Sequence, residues 1–271
     1  KFSRSLKLDI LIDLSGYTYN NRINALRSRC APIQISWLGY CNTLGIENMD
    51  FIIADPNLIK KDEENLYTEK VLYMPNIWNC LSKPRNLPDI KPQLNIKNNE
   101  ITYGSFNNFN KISLDTIKVW SKILNDGNSN LILKNSNSMN DSKAKEILIQ
   151  KFENESVNID KIKFIERKST MKDHLETYNK IDLALDTFPY PGVTTSFQSV
   201  LMGVPVLTMK GYNFNSRCGE SININLDLEE FISEDELDYV NKAIKIKNNK
   251  QELLNIKKNL RDQALKSNLF D

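Results

Sequence analysis

Between residues 101 and 209, short apolar runs alternate with segments of helical periodicity, and no other feature of the chain narrows its fold as far. The runs 101–106, 131–134, 162–166, 182–186 and 204–209 read as strands, and 114–124, 141–153, 172–179 and 194–202 as the helices between them. Strands separated by helices cannot pair as hairpins. They run parallel, joined by right-handed crossovers, in a doubly wound sheet whose ligands bind beyond the carboxyl ends of the strands. The earlier part repeats the theme more loosely, with strands at 6–13, 33–38, 51–55 and 71–74 and a helix at 20–29. From 76 to 100 the pattern fades around Pro84, Pro88 and Pro92. The expectation is therefore an α/β protein of two Rossmann-like halves, 1–85 and 101–271, with 86–100 as the linker. A Lys-rich helical tail over 234–269, with the stripe Leu237, Val240 and Ile244, should pack outside the second sheet.

Composition removes several function classes. Lys and Arg number 36 against 34 Asp and Glu, a formal charge of +2, so no broad positive field is available for a nucleic-acid backbone. No apolar run reaches the roughly 20 residues a membrane span requires, which argues against a membrane role. Cys30, Cys41, Cys80 and Cys218 are scattered without metal-ligand spacing, as in reduced thiols of a cytoplasmic protein. His174 is the only histidine, so a Ser-His-Asp triad or a multi-histidine metal site would have to be built around one ring.

The segment with most chemical content follows the strand at 182–186. Asp186-Thr187-Phe188-Pro189-Tyr190-Pro191-Gly192-Val193-Thr194-Thr195 is a bent strand-to-helix turn with two threonines where a first helical turn exposes unpaired N–H groups. Taken alone, these threonines fit an ordinary helix cap. They also fit an anion site, because free amides, the positive end of the helix dipole and hydroxyls together favour a diphosphate.

Wider strings decide between the two. Gly192-Val193-Thr194-Thr195, then Met202-Gly203-Val204-Pro205-Val206-Leu207-Thr208 and Asn215-Ser216-Arg217, resemble the donor-site segment of the O-linked N-acetylglucosamine transferase family, including its SPINDLY-like members. Upstream, Asp13-Leu14-Ser15-Gly16-Tyr17-Thr18 with Arg22, Ala31-Pro32-Ile33-Gln34 and Trp37-Leu38-Gly39-Tyr40 resemble its first catalytic half. Phe106-Asn107-Asn108 with Lys111, and Asp173-His174-Leu175 leading to Asp186-Thr187, resemble parts of its second half.

The resemblance implies a GT-B-type glycosyltransferase with a donor cleft between two halves, the first of them truncated. It implies inverting transfer of N-acetylglucosamine from a UDP-sugar to protein serine or threonine, with neither metal nor cofactor. Lys111 then matches a lysine on the donor diphosphate, where a cation stabilises charge growing on the leaving group. Asn108 matches a diphosphate-bonding amide, His174 a ring stacked on uracil, and Thr194 and Thr195 the pair at the β-phosphate. Gly192 would let backbone approach the ligand. Gln198 stands where the family usually has an acid for the ribose hydroxyls. Gly39, Tyr40 and Asn42 match the sugar pocket, and Tyr17 and Arg22 border the acceptor. No residue stands out as general base. The resemblance also implies an acceptor protein as partner and an upstream tetratricopeptide-repeat region. Related enzymes using UDP-glucose or GDP-fucose, and a non-catalytic nucleotide binder, remain alternatives.

Overall fold

A computed structural model of the chain describes residues 6–91, 100–135 and 142–270. Two parallel sheets organise it. The first has the order β1 (Ile10–Asp13), β2 (Ile33–Ser36), β3 (Phe51–Ala54), β4 (Lys70–Tyr73). The second contains β5 (Ile101–Ser105), β6 (Ser129–Leu133), β7 (Ile162–Phe164), β8 (Leu183–Leu185), β9 (Val206–Met209) and β10 (Ile232–Ser233), ordered β10-β9-β8-β5-β6-β7. From β5 the chain winds outward through β6 and β7, then returns to the other side of β5 with β8. The carboxyl ends of β5 and β8 therefore flank the switch point where open α/β sheets bind ligands.

The helices of the second half are α2 (Leu114–Asn125), α3 (Ser142–Asn154), α4 (Met171–Glu176), α5 (Thr194–Leu201), α6 (Cys218–Ile224), α7 (Glu236–Asn248) and α8 (Lys250–Lys266). Elements expected from the alternating pattern are present, usually shorter by a few residues; the expected start of the helix at 141 lies outside the described residues. In the first half, the helix expected over 20–29 shrinks to α1 (Ile23–Leu26). Asn21 is the cause: its side chain donates to the Thr18 carbonyl and accepts from the Ile23 N–H, offering the backbone a turn in place of a longer helix.

The tail differs from expectation in two ways. Asn249 interrupts it, and the buried stripe of α7 is Tyr239, Val240 and Ala243, while Leu237, in the first turn, is 69% exposed. It also ties the halves together. Arg261 donates to the carbonyls of Leu201 (2.7 Å) and Pro88 (2.9 Å), and the Leu81 N–H donates to the Leu269 carbonyl at 2.9 Å. Residues 88–91 are thus held against the second half, and 92–99 of the expected linker lie outside the described residues.

One core runs through both halves: Ile52, Ala54, Leu58 and Trp78 belong to the same buried cluster as β5, β8 and β9. Polar joints reinforce it. Asp55, following β3, accepts from Ser221 Oγ (2.8 Å) and from the Trp78 N–H (3.0 Å), and Arg217 forms a two-pronged ion pair with Glu63. On the opposite face of the first sheet, Ile10, Ile12, Ile33 and Leu72 are exposed among the described residues.

Candidate functional site

Between the sheets, at the switch point, lies a cleft of about 740 Å³. Leu38, Gly39, Cys41 and the segment 79–81 form the first-half wall. Asn107, Asn108 and Lys111 follow β5, while Tyr190, Val193, Thr194, Thr195 and Gln198 follow β8. Its third side is Asn135 after β6 and residues 167–171 with His174 before and on α4. No Asp or Glu is among these lining residues, whereas Lys111, Arg167 and Lys168 are. An anion entering here meets cations and N–H groups.

The turn from β8 to α5 is held open from below. The Asp186 carboxylate, fully buried, accepts from the N–H groups of Gly192 (2.7 Å) and Thr187 (3.0 Å), from Asn107 Nδ2 (3.0 Å) and from Thr208 Oγ1 (3.1 Å). Burial raises its pKa to about 6 against the pull of these donors and of Lys111. Above it, no side chain among the described residues caps α5, so the first-turn amides at Thr194 and Thr195 are left to the cleft. Lys111 ends a short 3-10 turn, Phe109–Lys111, that Asn108 starts by accepting from the Asn110 N–H. Its ammonium donates to the Pro191 carbonyl (2.8 Å) and lies 3.8 Å above the Tyr190 ring. Desolvation lowers the Lys111 pKa, and the Asp186 charge opposes that shift.

Six second-half residues singled out from the sequence meet at this cleft: Asn108, Lys111, His174, Thr194, Thr195 and Gln198, joined by Gly39 across it. The others stand apart. Gly192 lies beneath the lining: its N–H is taken by Asp186, and a Cβ there would meet Thr195 Oγ1 at 2.3 Å. It serves the approach of Thr195 to Asn107, whose side chains bond at 2.5 Å, rather than offering its own amide to a ligand. Tyr40, Asn42, Tyr17 and Arg22 are not among the lining residues. Tyr17 donates to the Leu44 carbonyl (2.8 Å) and packs edge-on against Tyr40, while exposed Arg22 bonds the carbonyls of Asn20 and Asn21.

Sequence reasoning passed over Lys134, Asp186 and Cys41 as site residues. Lys134 and Asp186 carry one legible signal: each is a charged residue directly after an apolar strand in a parallel sheet, where ligand sites form. Lys134 Nζ lies 2.8 Å from His174 Nδ1 and 2.6 Å from Thr177 Oγ1. His174 Nε2 lies 2.8 Å from Gln198 Oε1, so both ring nitrogens are engaged and the ring face is what remains for a ligand. Cys41 left no such signal. Its neighbour is the free Cys218 thiol of the opposite half, which lowers the Cys41 pKa, with Lys111 assisting.

Comparison with known proteins supplies the family and the fold. The "Probable UDP-N-acetylglucosamine--peptide N-acetylglucosaminyltransferase SPINDLY" of Eustoma exaltatum subsp. russellianum is 34% identical over 271 residues, covering 99% of this chain and 29% of that protein. Its namesake in Solanum lycopersicum is 33% identical with the same coverage. The chain thus spans about 29% of the length of these relatives. A variant of the Thermobaculum terrenum O-GlcNAc transferase superposes with a TM-score of 0.90 at 29% identity, over 97% of this chain and 50% of that one. Anabaena Alr3699/HepE, solved with UDP and glucose, shares the GT-B fold at a TM-score of 0.61 and 12% identity, over 97% of this chain and 75% of that one. The model of glycosyl transferase family 41 matches residues 5–91 and 87–271, through both sheets and every cleft residue described above, and the chain belongs to that family.

Proposed function

We propose that this chain forms the donor-binding and catalytic core of an enzyme that transfers N-acetylglucosamine from UDP to serine or threonine hydroxyls of proteins, with inversion and without a bound metal. One observation carries the reading: the uncapped start of α5 and the Lys111 ammonium converge on a cleft with no carboxylate among its described lining residues. That arrangement suits a diphosphate. In this reading the first-turn amides of Thr194 and Thr195, with the Thr194 hydroxyl, hold the β-phosphate, the Thr195 hydroxyl being given to Asn107 Oδ1, and Asn108 adds its amide. The cation at Lys111 stabilises the charge that develops as UDP leaves, which is worth more in the transition state than in the bound donor. His174 offers uracil a flat face, and Gln198 bonds the ribose.

The sugar would sit toward Gly39, with the loop carrying Tyr40 and Asn42 behind it, and the acceptor would approach past Tyr17 and Arg22. The acceptor hydroxyl attacks the anomeric carbon opposite the departing diphosphate. Names of the relatives support UDP-N-acetylglucosamine as donor and a polypeptide as acceptor. A tetratricopeptide-repeat region in the full-length protein would deliver that acceptor, and the reading places the reaction in the cytoplasm.

Calorimetry with UDP, UDP-N-acetylglucosamine and GDP tests the donor assignment. UDP should bind and GDP should bind at least about tenfold more weakly, a difference of about 1.4 kcal/mol. A preference for GDP would refute the assignment. Mass spectrometry of acceptor proteins incubated with UDP-N-acetylglucosamine then separates a transferase, which adds one sugar residue per modified hydroxyl, from a passive binder.

A further inference from the structure

Lys134, immediately after β6, is 1% exposed, yet none of the ion pairs among the described residues includes it. Its ammonium contacts His174 Nδ1 (2.8 Å), Thr177 Oγ1 (2.6 Å) and the His174 carbonyl (3.4 Å), and lies 4.3 Å from the Phe106 ring centroid. A cation without a carboxylate in such a place is costly, and burial, with Lys168 and Lys180 nearby, brings its pKa down to about 7. A leucine or methionine would fill the same space without that cost. What the amine adds is three N–H groups at a defined point.

The direction of each bond follows from that. An ammonium has no lone pair, so His174 Nδ1 must accept, and the neutral imidazole must carry its proton on Nε2. Nε2–H therefore donates to Gln198 Oε1 at 2.8 Å, while the Tyr178 hydroxyl, 3.5 Å from the same oxygen, gives its proton to the Thr195 carbonyl at 3.1 Å. With its oxygen taken by the imidazole N–H, Gln198 has its NH₂ left for the cleft it lines, where its neighbour is the weak acceptor Met171 Sδ at 3.8 Å. If Lys134 were absent, His174 could hold its proton on Nδ1, Nε2 would accept from the Gln198 NH₂, and the amide would turn its oxygen to the cleft.

We propose that Lys134 is a positioning residue: acting through His174, it orients Gln198 so that an N–H donor meets the bound nucleoside, and this end of the cleft recognises an oxygen lone pair. The inference rests on the cleft being the nucleotide site. It deepens that reading by assigning a polarity where an acidic side chain would present the opposite one.

Because His174 is the only histidine, ¹⁵N spectra of the imidazole are unambiguous. In the nucleotide-free protein about one pH unit below the Lys134 pKa of about 7, where the amine is mostly ammonium and the imidazole is neutral, Nδ1 should be pyridine-like and Nε2 pyrrole-like. Lys134→Met should lose that pattern, and Lys134→Arg, which still donates, should keep it. UDP affinity should fall about five- to tenfold in Lys134→Met, the loss of roughly one hydrogen bond, and stay within about twofold in Lys134→Arg. A pyrrole-like Nδ1 in the unsubstituted protein overturns the proposal even if neither variant folds, as does a Lys134→Met spectrum identical to it. Spectra as expected, but with no UDP binding to the unsubstituted protein, would instead overturn the nucleotide reading and the recognition it supports, leaving the order from Lys134 to Gln198 intact.

Discussion

Replacing Lys111 by methionine removes one charge while keeping the length of the side chain. In the proposed mode the ammonium sits near a phosphate oxygen, and one pair of unit charges at about 4 Å interacts by about 4 kcal/mol at the effective dielectric of a partly buried site. The Lys111 side chain is only partly buried, so water and salt recover some of that loss. A net loss of about 2–3 kcal/mol remains, or roughly a 30- to 150-fold weaker Kd for UDP. Free UDP carries more negative charge than UDP esterified to a sugar. Its affinity should therefore fall further than that of the intact donor, and kcat should drop together with kcat/KM. Calorimetry at two ionic strengths measures this, with the larger defect at low salt. Thermal unfolding serves as control, because the variant loses only a bond to the Pro191 carbonyl and the contact with Tyr190, while it no longer buries a cation. UDP affinity within about threefold of the unsubstituted protein would refute the reasoning.

The glycine beneath the turn gives a second test: Gly192→Ala should destabilise the protein by about 1–3 kcal/mol in urea unfolding and weaken UDP binding, because its Cβ would meet Thr195 Oγ1 at 2.3 Å. Asp186 has a folded pKa of about 6, above its ordinary 3.8, so the folded state holds that proton more tightly than the unfolded chain. Its contribution is present below about pH 4 and lost as pH rises through about 6, on the order of 2–3 kcal/mol at most. Urea midpoints at both ends of that window should differ less in Asp186→Asn than in the unsubstituted protein. Among the thiols, Cys41 lines the cleft with a lowered pKa, whereas Cys218 is buried with a raised one. Peptide mapping after iodoacetamide should find Cys41 labelled in the native protein and shielded by UDP, and Cys218 labelled only after denaturation.

Periodicity and chain chemistry carried the α/β class, the parallel second sheet and the position of its principal turn. An apolar strand followed by Pro, Gly and Thr has few ways to continue except as a strand-to-helix bend, and local sterics alone decide that. Resemblance added Lys111, Asn108, His174 and Gln198, which the structure brings to one cleft. Element ends were less legible. The side chain of Asn21 cut short a helix whose apolar spacing looked adequate, and the first turn of α7 left Leu237 in solvent because the buried stripe began two residues later.

What no reading of the chain in order could supply was the pairing of distant groups. Lys134 and His174 are 40 positions apart, Cys41 and Cys218 lie in different halves, and Asp186 reaches Asn107 across 79 positions. Periodicity reports which face of an element is apolar, a property of a few neighbouring residues. Which buried polar atoms satisfy one another depends on how complete sheets stack, and only the assembled core decided that His174 stands between an amine and an amide.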